Sequence, residues 1–211
     1  DLVEGGWPGA TFSQIVRGEA PDDAVAVTFD DGYRAVHEHA FPIMRELGLV
    51  GTIFVPTDYV GSERPMSWPG IEKWAAGEYA DDLVPVDWDE LRRMRAAGWE
   101  VGSHTRSHPH LTELDDERLA EELGGSREVC EARLGAPCDA LAFPYGDVDA
   151  RVSKAAESAG YKAAGSLEPG PEDPFCWPRV GVYPCDQPWR FRLKTSPAVV
   201  RIRASKLGRM V

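Results

Sequence analysis

Two short stretches of this chain hold the residues that could do chemistry. The first is Ala24-Val25-Ala26-Val27-Thr28-Phe29-Asp30-Asp31-Gly32-Tyr33, an apolar, β-branched run that stops at two adjacent carboxylates and a glycine. The second is Ser103-His104-Thr105-Arg106-Ser107-His108-Pro109-His110, with two imidazoles four residues apart in the pair His104 and His108. Neutral imidazole is the commonest side-chain ligand of zinc-like metals, and two histidines with one carboxylate leave a position for water. A carboxylate that is not a ligand can take a proton from that water. On residue type alone the histidines could equally be ordinary loop residues of an acidic protein.

The elements that must position these groups follow from periodicity. The run ending at Phe29 reads as a buried strand. Successive strand side chains point to opposite faces, so Asp30 and Asp31 take different roles unless the backbone turns. Pro109 pushes His108 out of the helical region, which favours a loop presenting both histidines over one helical face. Residues Asp1 to Pro21 read as a short helix or loop. Ala35 to Leu47 is expected to be helical, with Val36, Ala40, Ile43, Met44 and Leu47 inward, Pro42 bending it and Gly48 ending it. Gly51 to Pro56 is a second strand, apolar enough to be covered on both faces. Asp58 to Pro85 is too rich in Gly and Pro for one element, and its Trp68 and Trp74 are candidates for the wall of a substrate cleft.

Asp87 and Glu90 form a capping-box pattern ahead of Leu91, Met94 and Ala97. Trp99 to Ser103 is the strand that delivers His104. Asp115 or Asp116 caps a long helix that runs to Leu134 and stops at Gly135. Ala140 to Phe143 and Lys162 to Ala164 are further strands, separated by a helix from Asp149 to Ala159. Arg179 to Tyr183 reads as a strand, and Pro188 to Leu193 and Pro197 to Leu207 as helical. Strands alternating with helices imply parallel βαβ units, with the polar candidates gathered at the strand C-terminal edge.

Thr28-Phe29-Asp30-Asp31-Gly32-Tyr33 followed by Ser103-His104-Thr105-Arg106-Ser107-His108-Pro109 resembles the polysaccharide deacetylases, the family 4 carbohydrate esterases. Phe143-Pro144-Tyr145-Gly146 is a third match, to that family's aromatic-Pro-Tyr-Gly loop, and the three come in the family's order between about Val25 and Gly165. The resemblance implies an α/β fold: a single-domain irregular (β/α) barrel over residues 1–211 with about seven parallel strands. It implies that Asp31, His104 and His108 bind a divalent metal, zinc first, with cobalt, nickel or iron also suited to such a set. Asp30 would be the base acting on metal-bound water, and the Tyr145 backbone N–H the oxyanion donor and a substrate contact.

Two positions depart from the family pattern. Many members carry an arginine two residues before the Pro of the third stretch, where this chain has Ala142; Arg179 is the candidate replacement, against the alternative of a surface ion pair. Trp177 could floor the acetyl-methyl pocket or be a core residue, and Trp68 is the other aromatic candidate for substrate. The family's late histidine, its usual general acid, is absent: the five histidines are His37, His39, His104, His108 and His110. His37 and His39 are expected to face solvent, and His110 is close to the site in sequence but weaker as an acid candidate.

The activity implied is removal of the acetyl group from an N-acetylated amino sugar. Hydrolysis of a non-sugar amide or cyclic ureide on the same fold, or carbohydrate binding without cleavage, are the alternatives. At 211 residues with 43% hydrophobic and 27% charged residues, the chain can bury a substantial core. Its net charge of -12 repels phosphate backbones and anionic lipid alike and argues against nucleic acid as a partner. No run approaches the ~20 apolar residues of a membrane helix, and the lack of a targeting pattern points to a cytoplasmic location, with a removed N-terminal segment as the alternative that would leave the same trace. Cys130, Cys138, Cys176 and Cys185 form no CxxC pair and are expected to be reduced, partly buried thiols; oligomeric state is not legible.

Overall fold

Alternating burial along the strands decides how the sheet is covered. In β2 (Gly51–Val55) every residue is buried, with Ile53 and Val55 in one apolar cluster and Phe54 in another. The same alternation runs through β4 (Ala140–Ala142) and β5 (Ala163–Ser166): Leu141 and Ala164 join the first cluster, while Ala140, Ala142 and Ala163 join the second. Period-two alternation with both faces apolar is what a sheet with two covered faces requires. The structure is a computed structural model that describes residues 4–167, 173–183, 185–196 and 198–200.

Among the described residues the sheet has six parallel strands in sequential order, with β1 (Val27–Phe29), β3 (Glu100–Ser103) and β6 (Trp177–Pro178) completing it. β1 and β6 are the two edges of this sheet among the described residues. The chain order of helices is α1 (Phe12–Val16), α2 (Phe41–Glu46), α3 (Glu72–Ala75), α4 (Trp88–Ala96), α5 (Asp116–Ala120), α6 (Ser126–Leu134), α7 (Ala150–Ser158) and α8 (Pro188–Lys194). The larger cluster includes Leu91 and Met94 of α4, Leu119 of α5, Cys130 of α6 and Val152 of α7. The smaller fills the concave face, where Phe12 of α1 packs edge-on to Phe54 with ring centroids 5.6 Å apart. Small residues on that face are obligatory: a Cβ on Gly102 would come within 2.6 Å of the Phe54 ring. Cutting Phe54 to Ala would destabilise by roughly 3–5 kcal/mol.

The expected caps are present: Asp87 and Glu90 form a capping box on α4, Asp115 caps α5, and Gly135 ends α6 in the left-handed region. Thr11 with Gln14 on α1 and Asp149 on α7 add two caps not identified from the sequence. Other expectations did not hold. The segment read as one helix from Ala35 is a π-helical turn (Val36–Ala40) followed by α2, with Pro42 in the first turn of α2 where its missing N–H is harmless. That change of pitch turns Ile43 and Leu47 outward, to 58% and 49% exposure, and buries Phe41 instead. The last described strand is Trp177–Pro178 rather than Arg179 to Tyr183, and the six strands among the described residues are compatible with the expected seven or so. Pairing with β5 continues only to the Arg179 N–H, which donates to Ser166 O at 2.8 Å. The helix expected at Pro197 to Leu207 lies largely outside the described residues. None of the four cysteines is in a disulfide among the described residues; Cys130 and Cys138 are buried and Cys185 exposed.

Candidate functional site

Each group singled out above emerges where a strand ends. Asp30 and Asp31 follow β1, His104 follows β3, the Tyr145 loop follows β4 and Arg179 follows β6. The backbone does turn between the carboxylates: Asp31 has φ +68° and Gly32 φ +66°. Gly32 is required on a second count, since a Cβ there would approach Val55 Cγ1 to 2.9 Å. Asp31, Thr105, His108 and Tyr145 are the four non-glycine residues with left-handed φ among the described residues, and all four line this site. Such conformations are disfavoured, most of all for a β-branched residue such as Thr105, and persist only where surrounding contacts fix them.

Asp31, His104 and His108 each offer one ligand atom, and these atoms lie within 4.8 Å of one another. Asp31 Oδ1 is 3.4 Å from His104 Nε2 and 3.3 Å from His108 Nε2. His104 is 2% exposed and donates from Nδ1 to the Ala142 carbonyl at 2.8 Å, which leaves Nε2 with its lone pair toward Asp31. His108, 4% exposed, lies under Trp68, with the rings stacked at 4.1 Å and 22°. Burial pushes the Asp31 carboxyl up, but its contacts with His104 and His108 outweigh that and hold it well below the usual carboxylate range. Burial pushes both imidazoles down. For His104 the contact with Asp31 and the charges of Asp30 and Asp31 reverse the direction, whereas for His108 burial prevails. An ionised carboxylate and two imidazole nitrogens converging in a partly buried pocket are the donor set of a three-ligand divalent metal centre, so these residues fit such an ion.

The histidine loop is fixed from beneath. Glu122 lies in a π-helical turn (Glu121–Gly125) between α5 and α6 and accepts from the N–H groups of Arg106 and Ser107 at 2.8 and 2.9 Å and from Ser107 Oγ at 2.6 Å. Ser103 Oγ donates to Ser126 Oγ, and Ser126 contacts Tyr161 Oη, so β3, α6 and the segment before β5 meet in one buried network. Neither Glu122 nor this hydroxyl network was identified from the sequence. A glutamate on a helix written as EELGG carries no local sign that it faces inward; only the extra residue of the π turn reveals it.

On the other side, Arg179 makes a two-pronged ion pair with Asp30, at 2.7 Å to Oδ1 and 2.8 Å to Oδ2, and also donates to Thr28 Oγ1 at 3.2 Å. Its guanidinium lies over the Phe54 ring at 5.4 Å and its side chain is 9% exposed. This is not a loose surface pair. Gly165 makes room for it, because a Cβ there would come within 2.7 Å of Arg179 Nε. Burial raises the Asp30 carboxyl, and Arg179 together with His104 outweighs burial, leaving it below its ordinary value.

Tyr145 has φ +60° and its backbone N–H makes no hydrogen bond among the described residues. Its ring stacks on His110 at 3.9 Å and 9°, and its hydroxyl donates to Pro69 O at 3.2 Å. His110 Nδ1 is 3.5 Å from Asp147 Oδ2. Trp68 is 6% exposed and braces His108, so it is not an open face for a sugar. Trp177 is partly buried against the concave cluster of Phe12 and Phe54, a core placement. Trp74, 43% exposed, lines a hollow of about 530 Å³ with Phe29, Tyr33, Val36 and Leu83. His37 is packed rather than solvated, stacked on Phe41 and 3.5 Å from Glu90.

A poly-beta-1,6-N-acetyl-D-glucosamine N-deacetylase of Staphylococcus aureus is 25% identical over 161 residues, covering 72% of this chain and 50% of that protein. Chitin deacetylase 1 of Cryptococcus neoformans is 30% identical over 143 residues, 67% of this chain and 25% of that protein. This chain thus spans half or less of the length of these relatives. The fold superposes on the Streptococcus pyogenes deacetylase PplD, solved with acetate, with a TM-score of 0.77 at 18% identity, over 93% of this chain and 83% of that one. IcaB from Ammonifex degensii gives 0.68 at 25% identity, over 87% and 80%. The sequence model described as polysaccharide deacetylase matches residues 17–164, which hold both carboxylates, both histidines and the Tyr145 loop, and the chain belongs to that family.

Proposed function

We propose that this protein is a metal-dependent N-deacetylase that hydrolyses the acetamido group of an N-acetylated amino sugar. The observation that carries the reading is the adjacency of two differently held carboxylates: Asp31 faces two imidazoles, while Asp30 is held ionised by Arg179. The relatives named for deacetylation of chitin and of poly-N-acetylglucosamine support the choice of substrate class.

Asp31, His104 and His108 would hold the divalent ion, zinc being the first candidate for this donor set, and the ion supplies Lewis acidity that polarises an acyl oxygen and acidifies water. Asp30 has the proton-accepting role. It is ionised at neutral pH, it is not part of the donor set, and the two-pronged hold of Arg179 fixes its orientation. The Tyr145 N–H is free to donate to the acetyl oxygen as negative charge builds on it. Cleavage of the C–N bond needs a proton on the departing amine. His110 is turned onto the Tyr145 ring and toward Asp147, so Asp30, having taken a proton from water, is the group placed to return one. The products are acetate and a free amino sugar.

The test is metal content and acetate release from N-acetylglucosamine oligomers, before and after chelation and after return of zinc or cobalt. Acetate release that vanishes on chelation and returns with metal supports the reading. Stoichiometric metal without acetate release favours a carbohydrate-binding role, and release only from cyclic ureides or non-sugar amides would move the substrate class.

A further inference from the structure

The two imidazoles that face Asp31 are held by different means. His104 is oriented by a hydrogen bond, its Nδ1 donating to the Ala142 carbonyl at 2.8 Å. His108 brings Nε2 to 3.3 Å from Asp31, and its Nδ1 is buried with no hydrogen-bond partner in any other described residue. A histidine that ligates a metal ordinarily gives its second ring nitrogen to an acceptor, which fixes the ring and raises the basicity of the ligating nitrogen. His108 has aromatic rings in that place. Trp68 stacks on it at 4.1 Å and 22°, while Tyr145 and His104 meet it edge-on at 4.7 and 4.8 Å. Trp68 is itself fixed: Tyr59 packs edge-on to the indole at 5.5 Å and donates from its hydroxyl to Ser67 O at 3.1 Å, and the Trp68 carbonyl accepts from the Ile71 N–H at 3.1 Å.

We propose that Trp68 is a positioning residue of the metal site, its indole fixing the His108 ring as the Ala142 carbonyl fixes His104. The inference rests on the reading of Asp31, His104 and His108 as a metal-binding set. A flat face at stacking distance sets the tilt and height of an imidazole, and edge-on neighbours limit its rotation in the plane. The left-handed φ of +63° at His108, with its N–H donating to Thr105 Oγ1 at 3.2 Å, sets where the ring leaves the backbone. Stacking supplies geometry without the added basicity that an acceptor gives, so His108 is the weaker imidazole donor and depends more on being held in place. The same segment reaches the other working part of the site. Pro69 O accepts from the Tyr145 hydroxyl at 3.2 Å, so Trp68 and Pro69 together contact a ligand and the loop that carries the Tyr145 N–H.

The test is zinc affinity of the intact chain, by competition with a chromophoric chelator, together with the absorption spectrum of the cobalt-loaded protein. Trp68→Leu keeps an apolar filler and removes the ring, so zinc affinity should fall about 10–100-fold and the cobalt bands should move. Trp68→Phe restores a smaller ring and should lose only about threefold, with a smaller movement of the bands. Trp74→Leu, which changes a tryptophan outside the set, should leave both measurements unchanged. A Trp68→Leu protein with a lowered thermal midpoint but wild-type zinc affinity and cobalt spectrum overturns the proposal and returns Trp68 to a core role. So does a Trp68→Phe protein that binds zinc no better than Trp68→Leu. Should Trp68→Leu fail to fold, Trp68→Phe decides, and wild-type values for both measurements overturn the proposal. Failure of the wild type to take up zinc or cobalt would instead overturn the metal reading of the site, and this inference with it.

Discussion

The two carboxylates at the end of β1 are one residue apart and are held by opposite means. Asp31 belongs to a side of the site built within the sheet, where β1 and β3 flank β2 and the histidine loop is anchored by Glu122, Ser103 and Ser126 through backbone and buried hydroxyl contacts. Asp30 is joined to the far edge of the sheet by the ion pair with Arg179, which follows β6. One side is thus over-determined and the other depends on a single guanidinium. If Asp31 holds the metal and Asp30 takes the proton, as proposed, then ligand geometry and proton transfer can each be perturbed alone.

The sharpest way to break that separation is Asp30→Asn. The amide keeps the shape and can still hydrogen-bond Arg179, but it cannot take a proton. Turnover should fall about 10²–10⁴-fold while metal stoichiometry stays at that of the wild type. Loss of metal along with activity would show that the two carboxylates act as one unit.

Arg179→Met comes next in size. Without the guanidinium, burial and the neighbouring Asp31 charge both push the Asp30 carboxyl upward. A base must be unprotonated, so the acid limb of the kcat/KM profile should move to higher pH, with metal affinity little changed. Stability carries the same sign. An Asp held below its unfolded value of about 4 stabilises the fold above that pH and loses the contribution as pH falls through the lowered folded value. Arg179→Met removes that contribution, so acid unfolding should begin at higher pH than in the wild type. An unshifted profile would return Arg179 to a purely structural role.

These two sides also differed in how far the sequence disclosed them. Asp30, Asp31 and His104 could be named because strand patterning stops just before them, and His108 because it lies four residues past His104 in the same loop, with residue types that match one chemistry. Arg179 could be named but not placed, since its strand is only two residues long and the expected run of Arg179 to Tyr183 has no ladder beyond the Arg179 N–H. Trp68 and Trp74 are both candidate cleft aromatics by sequence; the fold stacks Trp68 on His108 and leaves Trp74 43% exposed, a difference made by tertiary packing alone. The π-helical turns at Val36–Ala40 and Glu121–Gly125 defeated helical periodicity in the same way, by adding a residue that rotates everything after it.

Glu122→Gln probes the over-determined side. The carboxylate accepts two backbone N–H groups and the Ser107 hydroxyl, and an amide offers one oxygen for the same three donors. The fold should lose about 1–3 kcal/mol, read from urea unfolding. Metal affinity should fall about 10–100-fold, as for other supports of ligand orientation, while the pH profile of the residual activity stays in place. A moved profile with normal metal affinity would reverse the assignment of the two sides.

The smallest effect is expected at His110. Its ring lies flat on Tyr145, and its Nδ1 is turned toward Asp147, whose Oδ2 already accepts from the Thr112 hydroxyl at 2.6 Å. Those contacts make it a brace for the loop that presents the Tyr145 N–H. Phenylalanine preserves the stacking face and removes both nitrogens. His110→Phe should therefore lower kcat by less than about tenfold, whereas His110→Ala, which removes the face as well, should lower it further. A loss with Phe as large as that of Asp30→Asn would identify His110 as the missing proton donor to the amine, and the proton-transfer side of the site would then draw on both flanks of β3.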